Sequence, residues 1–410
     1  MMQSLKALYR IGHGPSSSHT MGPRFAAERY RQRYPDADGY EVVLFGSLAA
    51  TGRGHLTDQA MQEVFADRRF SIEWRAEEQL PLHPNAMRWY CLDDQGRRHH
   101  EWEVYSVGGG ALRELGESAG DKPVYELGTM AQIMAWCRER NASLADYVYA
   151  CEGDEIRGHL STVWAAMQAS LREGLSSTGV LPGALRLRRK AHDCLQRAQA
   201  VRSEMQRTGL LSAYAFAVSE VNASGGRVAT APTCGACGIV PAVLTYLQST
   251  LARPDTAIID ALAVAGVVGN LVKTNASISG AEVGCQGEVG TACAMAAAAA
   301  VHLLGGSLAQ IEYAAEMAIE HHLGLTCDPV LGMVQIPCIE RNAVAAIRAV
   351  DCADLSLLSD GQHQISFDSA VDVMKRTGAD MQRSYKETAT GGLALLRVHG
   401  AIPAGGDVLA

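Results

Sequence analysis

"TMAQIMAWCRER", residues 129–140, is where the periodicity of the chain changes. From here onward apolar residues recur close to every 3.6 positions, and the long segments are rich in Ala, Leu and Met, which are good helix formers. Two later runs, "TAIIDALAVAGVVGNLV" (256–272) and "ACAMAAAAAVHLLGG" (292–306), are the most apolar of the chain. Each falls short of about 18 to 20 uninterrupted apolar residues or is broken by Asp260, Gly266 and Gly269, so both read as buried helices rather than membrane spans. The half of the chain that follows residue 129 is expected to be all-helical.

Upstream, the periods are mixed. "PRFAAERYRQRY" (23–34) has helical spacing with Pro23 suited to a first turn, and "GHLTDQAMQEVFAD" (54–67) is helical again. "YEVVLFGS" (40–47), "FSIEWRA" (70–76), "MRWYCLD" (87–93) and "HEWEVYSVGGG" (100–110) have strand character, with "DDQG" as a turn between the last two. A chain of 410 residues exceeds what one core usually organises. The expected architecture is therefore two-domain: an α+β domain over residues 1–120, a connector with the first helices over 121–150, and an all-α domain over 151–410. The Gly, Ser and charge content of 107–128 suits the linking segment.

The net charge is −8, from 36 basic and 44 acidic residues. No dense Lys/Arg block is evident, which argues against nucleic acid or an anionic membrane as partner and leaves a small solute as the expected ligand. "MMQSLKALYRIGHG" lacks the long apolar core and small-residue cleavage site of a secretory signal, so a cytoplasmic location is expected. Eleven cysteines, an odd number, make a poor disulfide framework for such a chain, and some are expected to be thiolate ligands.

Within the helical half, three Gly/Pro-rich loops run into helices: "GGRVATAPTCGACGIVPAVL" (225–244), "TNASISGAEVGCQGEVG" (274–290) and "GLTCDPVLGMVQIPCIERNA" (324–343). Such loops leave backbone N–H groups free at helix N-termini, where they can bind a carboxylate or stabilise a thiolate. Cys285, Cys327 and Cys338 lie in the second and third of them with the spacing C-x41-C-x10-C. That is neither a zinc ribbon nor a compact ferredoxin run. Three thiolates on separate loops can hold a [4Fe–4S] cluster if the fold converges them, leaving one iron open as a Lewis acid; the same spacing also suits three unrelated buried cysteines. Cys234 and Cys237 form a C-x2-C pair that could serve redox or metal chemistry, although a structural or site-lining role is favoured.

The segments "NASISGAEVGCQGEVGTACAMAA", "CDPVLGMVQIPCIERNA", "GRVATAPTCGACGIVPAVL" and "YKETATGGLAL" resemble the catalytic domain of the iron–sulfur-dependent bacterial L-serine dehydratases, or L-serine ammonia-lyases. "IGHGPSSSHTMGP" (11–23) and "FGSLAATGRGHLTD" (45–58) resemble the N-terminal domain of the same family, and the resemblance covers nearly the whole chain in order. It implies an enzyme that converts L-serine to pyruvate and ammonia without pyridoxal phosphate, with Cys285, Cys327 and Cys338 as ligands of a [4Fe–4S] cluster. A homodimer is the expected assembly. The sequence departs from the family at Cys234, where relatives often carry Asn. It departs again near its end, where members place a cysteine that reaches the open iron and this chain has His399, a candidate fourth ligand.

In that light His19, in "SSSHT", and His55, in "TGRGHLTD", are the candidates for the base that removes the α-proton, since an unperturbed pKa near 6.5 suits that work. His55 is expected to begin a helix whose dipole keeps the imidazole neutral. Which of the two is the base stays open. Ser16, Ser17, Ser18 and Thr20 offer hydroxyls and amides for the substrate carboxylate, with helix capping as the alternative for one of them. Thr233, Asn275, Ser277 and Ser279 are expected to complete the pocket. Arg341 is read either as a bidentate partner of a carboxylate or as a structural ion pair beside Glu340. Two other readings stand alongside: β-elimination on L-cysteine, L-threonine or a related amino acid, and a cluster-bearing redox or iron sensor without turnover.

Overall fold

The computed structural model describes residues 2–114, 123–201 and 204–396. The N-terminal third contains β1 (Ile11–His13), α1 (Gly22–Arg33), β2 (Gly39–Phe45), α2 (Gly46–Thr51), α3 (Thr57–Val64), β3 (Arg69–Arg75), β4 (Ala86–Leu92), β5 (Arg98–Ser106) and β6 (Leu112–Glu114). Strands β2 to β6 form one sheet in the order β3-β2-β4-β5-β6, in which only β2 and β3 are parallel. A parallel pair cannot be closed by a hairpin and needs a long crossover. Helices α2 and α3 supply it, and the turn between them carries His55.

Helix α1 packs with α3 over one face of the sheet. The alternation seen in "YEVVLF" and "MRWYCL" places Tyr40, Val42, Leu44, Met87, Trp89 and Cys91 on that face, where they bury Ala26, Ala27 and Tyr30 of α1. Ring stacking between Tyr30 and Trp102, with centroids 5.7 Å apart, fixes the seat of the helix.

The rest is helical: α4 (Met130–Arg140), α5 (Leu144–Glu152), α6 (Glu155–Ser176), α7 (Ala191–Ala200), α8 (Glu204–Ala223), α9 (Ile239–Leu251), α10 (Asp255–Asn275), α11 (Gly280–Val283), α12 (Thr291–Leu303), α13 (Leu308–Glu320), α14 (Cys338–Leu357) and α15 (Phe367–Asp380), with a short strand β7 (Arg227–Ala229). Helix α12 is apolar all round and is enclosed by α9, α10, α13 and α14, as such a helix must be. Its alanines let those neighbours approach closely. Helix α10 is long and apolar enough to cross a membrane, yet here its residues fill the core between α5, α6 and α12.

The first residues of the chain join the helical body rather than the sheet. Leu5, Leu8 and Tyr9 are buried in the core that contains α10 and α12, and β1 pairs antiparallel with β7. Their apolar side chains find more surface to bury there than on the sheet, whose covered face is already filled by α1 and α3. Pro15 continues the anchor, its carbonyl accepting from Asn222 Nδ2 at 2.7 Å. The segment that carries His19 is thus pinned to the helical body on one side and runs into α1 on the other.

Candidate functional site

Residues 17–21 form a π-helical turn before α1, and residues 286–290 form another before α12. Such wide turns are frequent at functional sites. The first holds His19 and the second Glu288, and the two face the same junction between sheet domain and helical body.

His19 and His55 are both fully buried, with ring centroids 4.5 Å apart. His55 Nδ1 lies 3.0 Å from the carbonyl oxygen of Thr51, which can only accept, so Nδ1 carries the proton and Nε2 presents its lone pair. Nε2 has no hydrogen-bond partner, and its nearest acidic neighbour is Glu387 Oε1 at 3.7 Å. His19 is held at both nitrogens: Nε2 lies 3.2 Å from Ser47 Oγ and Nδ1 lies 2.9 Å from Ser18 Oγ. Ser47 gives its own proton to the Glu387 carbonyl at 2.7 Å, so it accepts from His19 Nε2. Burial pushes His19 well below the usual histidine range, helped by the adjacent His55, and pushes His55 down to about 4.

That neutrality does not come from the expected helix dipole. His55 does not begin a helix: its backbone N–H closes on Thr51 and Gly52 at the end of α2, and α3 starts two residues later. Loss of solvent, not a helix dipole, keeps the ring uncharged.

Glu387 lies between the imidazoles, with Oε1 3.4 Å from His19 Nδ1 and Oε2 unpartnered. Its φ of +57° is costly for a residue with a Cβ and persists because both backbone groups are tied. The N–H donates to the Cys327 carbonyl at 2.7 Å and the carbonyl takes the Ser47 hydroxyl. Burial pushes the carboxyl well above the usual range, with Glu288 and Cys285 adding to the effect.

Cys285, Cys327 and Cys338 line one narrow pocket with His55, Ser16, Gly235, Glu288 and Glu387. Cys285 precedes the second π-turn, Cys338 is the first residue of α14, and Cys327 is held by its N–H on the Tyr385 carbonyl. The fold therefore converges loops that are far apart in sequence. Glu288 Oε2 is 3.8 Å from Cys285 Sγ and 3.9 Å from Cys327 Sγ. A Cβ on Gly280 would come within 3.0 Å of Cys327 Sγ and 2.7 Å of Glu288 Oε2, so only glycine leaves this approach to the sulfurs open.

This donor set fits an iron–sulfur cluster. Three thiolates would bring negative charge into a buried place, and two features answer it: the N-terminus of α14 at Cys338 and the guanidinium of Arg341 one turn on. The sulfurs of Cys285 and Cys338, with Asp328, hold that guanidinium firmly charged against the opposing effect of burial. Arg341 donates to the Thr326 carbonyl at 2.7 Å and pairs with Asp328 at 3.4 Å, thereby bracing the Cys327 loop. Its ion-pair partner is thus Asp328 and not the neighbouring Glu340, which pairs with Lys190.

The remaining candidates separate into those at the pocket and those near it. Ser16 lines the pocket and also caps the π-turn, accepting from His19 N at 3.0 Å. Thr20 ties the two histidine loops together, donating to the His55 carbonyl at 2.6 Å and accepting from Ser16 N. Ser17 is buried at the start of the turn. Thr233 donates to Glu288 Oε1 at 2.8 Å. Ser279 is buried with its hydroxyl unpartnered, Ser277 bonds Glu282, and Asn275 donates to the Gly128 carbonyl; none of these three lines the cysteine pocket. Cys234 and Cys237 are buried in an apolar cluster with Met21, Val218 and Val221. His399 lies outside the described residues.

Sequence reasoning passed over Glu387, Glu288 and Ser47. Each lies inside a segment quoted above, and a lone acid within "YKETATGGLAL" or "GCQGEVG" is the signal that was available.

The serine dehydratase beta chain family matches residues 4–65 and the serine dehydratase alpha chain family matches residues 66–394. The junction falls just before β3, so both matches contribute strands to the one sheet. An L-serine dehydratase of Streptomyces coelicolor is 40% identical, covering 96% of this chain and 99% of the relative. L-serine dehydratase 2 of Escherichia coli is 38% identical and an L-serine dehydratase of Haemophilus influenzae 37%, each over 96% of this chain and 99% of the relative. With both family matches in order and identity sustained along the whole length, the chain belongs to the serine dehydratase family.

Proposed function

We propose that the protein is an L-serine ammonia-lyase of the cytoplasm that eliminates water from L-serine and releases pyruvate and ammonia, with Cys285, Cys327 and Cys338 holding a [4Fe–4S] cluster. The observation that carries this reading is the juxtaposition, in one pocket, of three converging thiols and an unpartnered, proton-free histidine nitrogen. Held by these three thiolates, the cluster would supply an open iron as Lewis acid for the departing oxygen. Everything else falls to side chains of this chain.

His55 takes the α-proton through Nε2. The Thr51 carbonyl holds the ring in the tautomer that leaves Nε2 free, and burial keeps it uncharged and ready. His19, saturated by Ser18 and Ser47, orients the loop and faces the same Glu387 carboxyl. Glu387 faces both imidazoles. Ser16 offers a hydroxyl to the substrate carboxylate at the pocket wall, and Arg341 balances the cluster charge. His55 passes the α-proton on to the departing hydroxyl, which leaves as water and frees Nε2 again; the aminoacrylate tautomerises to an imine, which takes up water to give pyruvate and ammonium.

Anaerobic cluster reconstitution followed by a pyruvate assay on L-serine tests the proposal. Activity that depends on the cluster and is lost with Cys285→Ala is expected; equal activity with and without the cluster overturns it. Comparing pyruvate, 2-oxobutyrate and sulfide production separates L-serine from L-threonine and L-cysteine as substrate.

A further inference from the structure

One stretch escapes the reading of the chain as free of basic blocks. "RLRRKAHDCLQRAQAVRSEMQR", residues 186–207, carries seven basic residues and two acidic ones in a protein whose net charge is −8. The structure turns part of this stretch into a pocket of about 510 Å³, lined by Arg188, Arg189, Lys190 and Arg197, with Phe216 and Ala198 among its apolar residues. That volume falls in the range of small-ligand sites, about 300 to 1,000 Å³. It lies on the helical body beside α7 and α8 and shares no lining residue with the cysteine pocket.

Two of the four lining cations are not consumed by internal pairing. Among the described residues the guanidinium groups of Arg188 and Arg197 have no ion pair or hydrogen bond, while Arg207, at the end of the stretch, is spent on Asp351 and Asp354. Arg189 donates through Nη2 to Ser224 Oγ at 2.8 Å, and its Nη1 is buried without a partner. Lys190 pairs with the exposed Glu340 and sits 5.8 Å from the centroid of the Phe216 ring. Asp193 is the one carboxylate among the lining residues. Arg188 and Arg197 unpaired, Arg189 set beside the buried Glu220 and Lys190 paired with Glu340 still leave a net positive concave wall over an apolar floor, which suits a compact polyanion that also carries a flat ring. Arginine forks match phosphate oxygens in pairs, and an aromatic side chain with a neighbouring cation receives a heterocycle.

The geometry points to a nucleotide-binding site between α7 and α8: phosphates on Arg188, Arg189 and Arg197, and the base against Phe216. The site is separate from the dehydratase chemistry and does not depend on it.

The test is equilibrium dialysis of the cluster-loaded full-length protein against ATP, AMP and inorganic pyrophosphate at low and high salt. ATP is expected to bind saturably below about millimolar concentration, to weaken with salt, and to exceed pyrophosphate in affinity. The double variant Arg188→Glu/Arg197→Glu is expected to lose at least about tenfold in ATP affinity through its charge-assisted bonds, while pyruvate formation from L-serine stays unchanged and shows the fold intact. Phe216→Ala is expected to weaken ATP and leave pyrophosphate unaffected. Absence of saturable binding by every one of the three probes, binding indifferent to the charge reversal, or equal affinity for ATP and pyrophosphate with no effect of Phe216→Ala overturns the assignment.

Discussion

The Nδ1 atom of His55 lies 3.0 Å from the carbonyl oxygen of Thr51, one turn earlier in the chain, and this single contact decides which nitrogen of the ring keeps a free lone pair. Because a carbonyl cannot donate, the proton is fixed on Nδ1 and the free lone pair is on Nε2. His19, four and a half ångströms away between ring centroids, has no such free nitrogen. His55→Gln is therefore expected to lower kcat by about 10² to 10⁴ with iron content unchanged, the usual contribution of a positioned base. His19→Gln is expected to cost less. Steady-state pyruvate assays on reconstituted variants check the order, and a larger loss at His19 would reverse the assignment.

Burial also sets the pH range in which the proposed base is uncharged. With His55 pushed down to about 4, the ring stays a base through the range where a solvent-exposed histidine has already charged. The acid limb of kcat/KM is expected below pH 6.5, and a limb at or above that value would mean that the base is another group. Stability follows the same sign. The unfolded chain binds the proton first, so the contribution of the buried ring is fully present above pH 6.5 and is lost as pH falls toward 4.

Glu387 is held in a left-handed backbone conformation by Cys327 and Ser47 so that its carboxyl faces both imidazoles. Glu387→Gln preserves the shape and removes the acid. A loss of about 10- to 100-fold in kcat with little change in KM is expected, the size typical of residues that orient an active group. A change confined to KM would assign the residue to substrate binding instead.

Removing one thiol at a time separates ligands from bystanders. Cys285→Ala, Cys327→Ala and Cys338→Ala are each expected to abolish stoichiometric iron and sulfide after reconstitution, whereas Cys234→Ala and Cys237→Ala, in their apolar cluster, retain both. Iron and acid-labile sulfide analysis, with the visible absorption of the cluster, reads the outcome directly.

Far from this site, Glu316 on α13 is buried with Oε1 unpartnered, and burial, then Glu320 and Glu312, pushes its carboxyl up to about 7. Such a group favours the folded state most below its unfolded pKa of about 4.5, and its contribution falls as pH rises through 7. Glu316→Gln is expected to raise stability at pH 8 by about 1 to 3 kcal/mol and to change little at pH 4.5. Denaturant unfolding at the two pH values measures the difference.

Much of the architecture was legible because it rests on local rules. The change of period at residue 129, the alternating strands at 70–76 and 87–93, and the turn at 93–96 are all consequences of side-chain spacing, and each reappears in α4, β3, β4 and the β4–β5 hairpin. The segments that carry His19, His55 and the three cysteines stand out for their Gly, Ser and Pro content. Asn275 and Ser277 stood in the same segments and bond elsewhere, because membership of a loop does not say where a side chain points.

What the amino-acid sequence determined by itself was the change from a sheet-bearing N-terminal part to a helical remainder, and the family resemblance; it also named the candidate cysteines. Tertiary structure alone decided that β1 crosses to β7, that Thr51 selects the tautomer of His55, and that Glu387 enters the histidine pair from more than 300 positions away in the chain. It also gathered the basic residues before α7 into one concave wall. Periodicity and composition record interactions between near neighbours, whereas a tautomer, an orphaned nitrogen or a shared pocket exists only once distant segments have excluded water from the space between them.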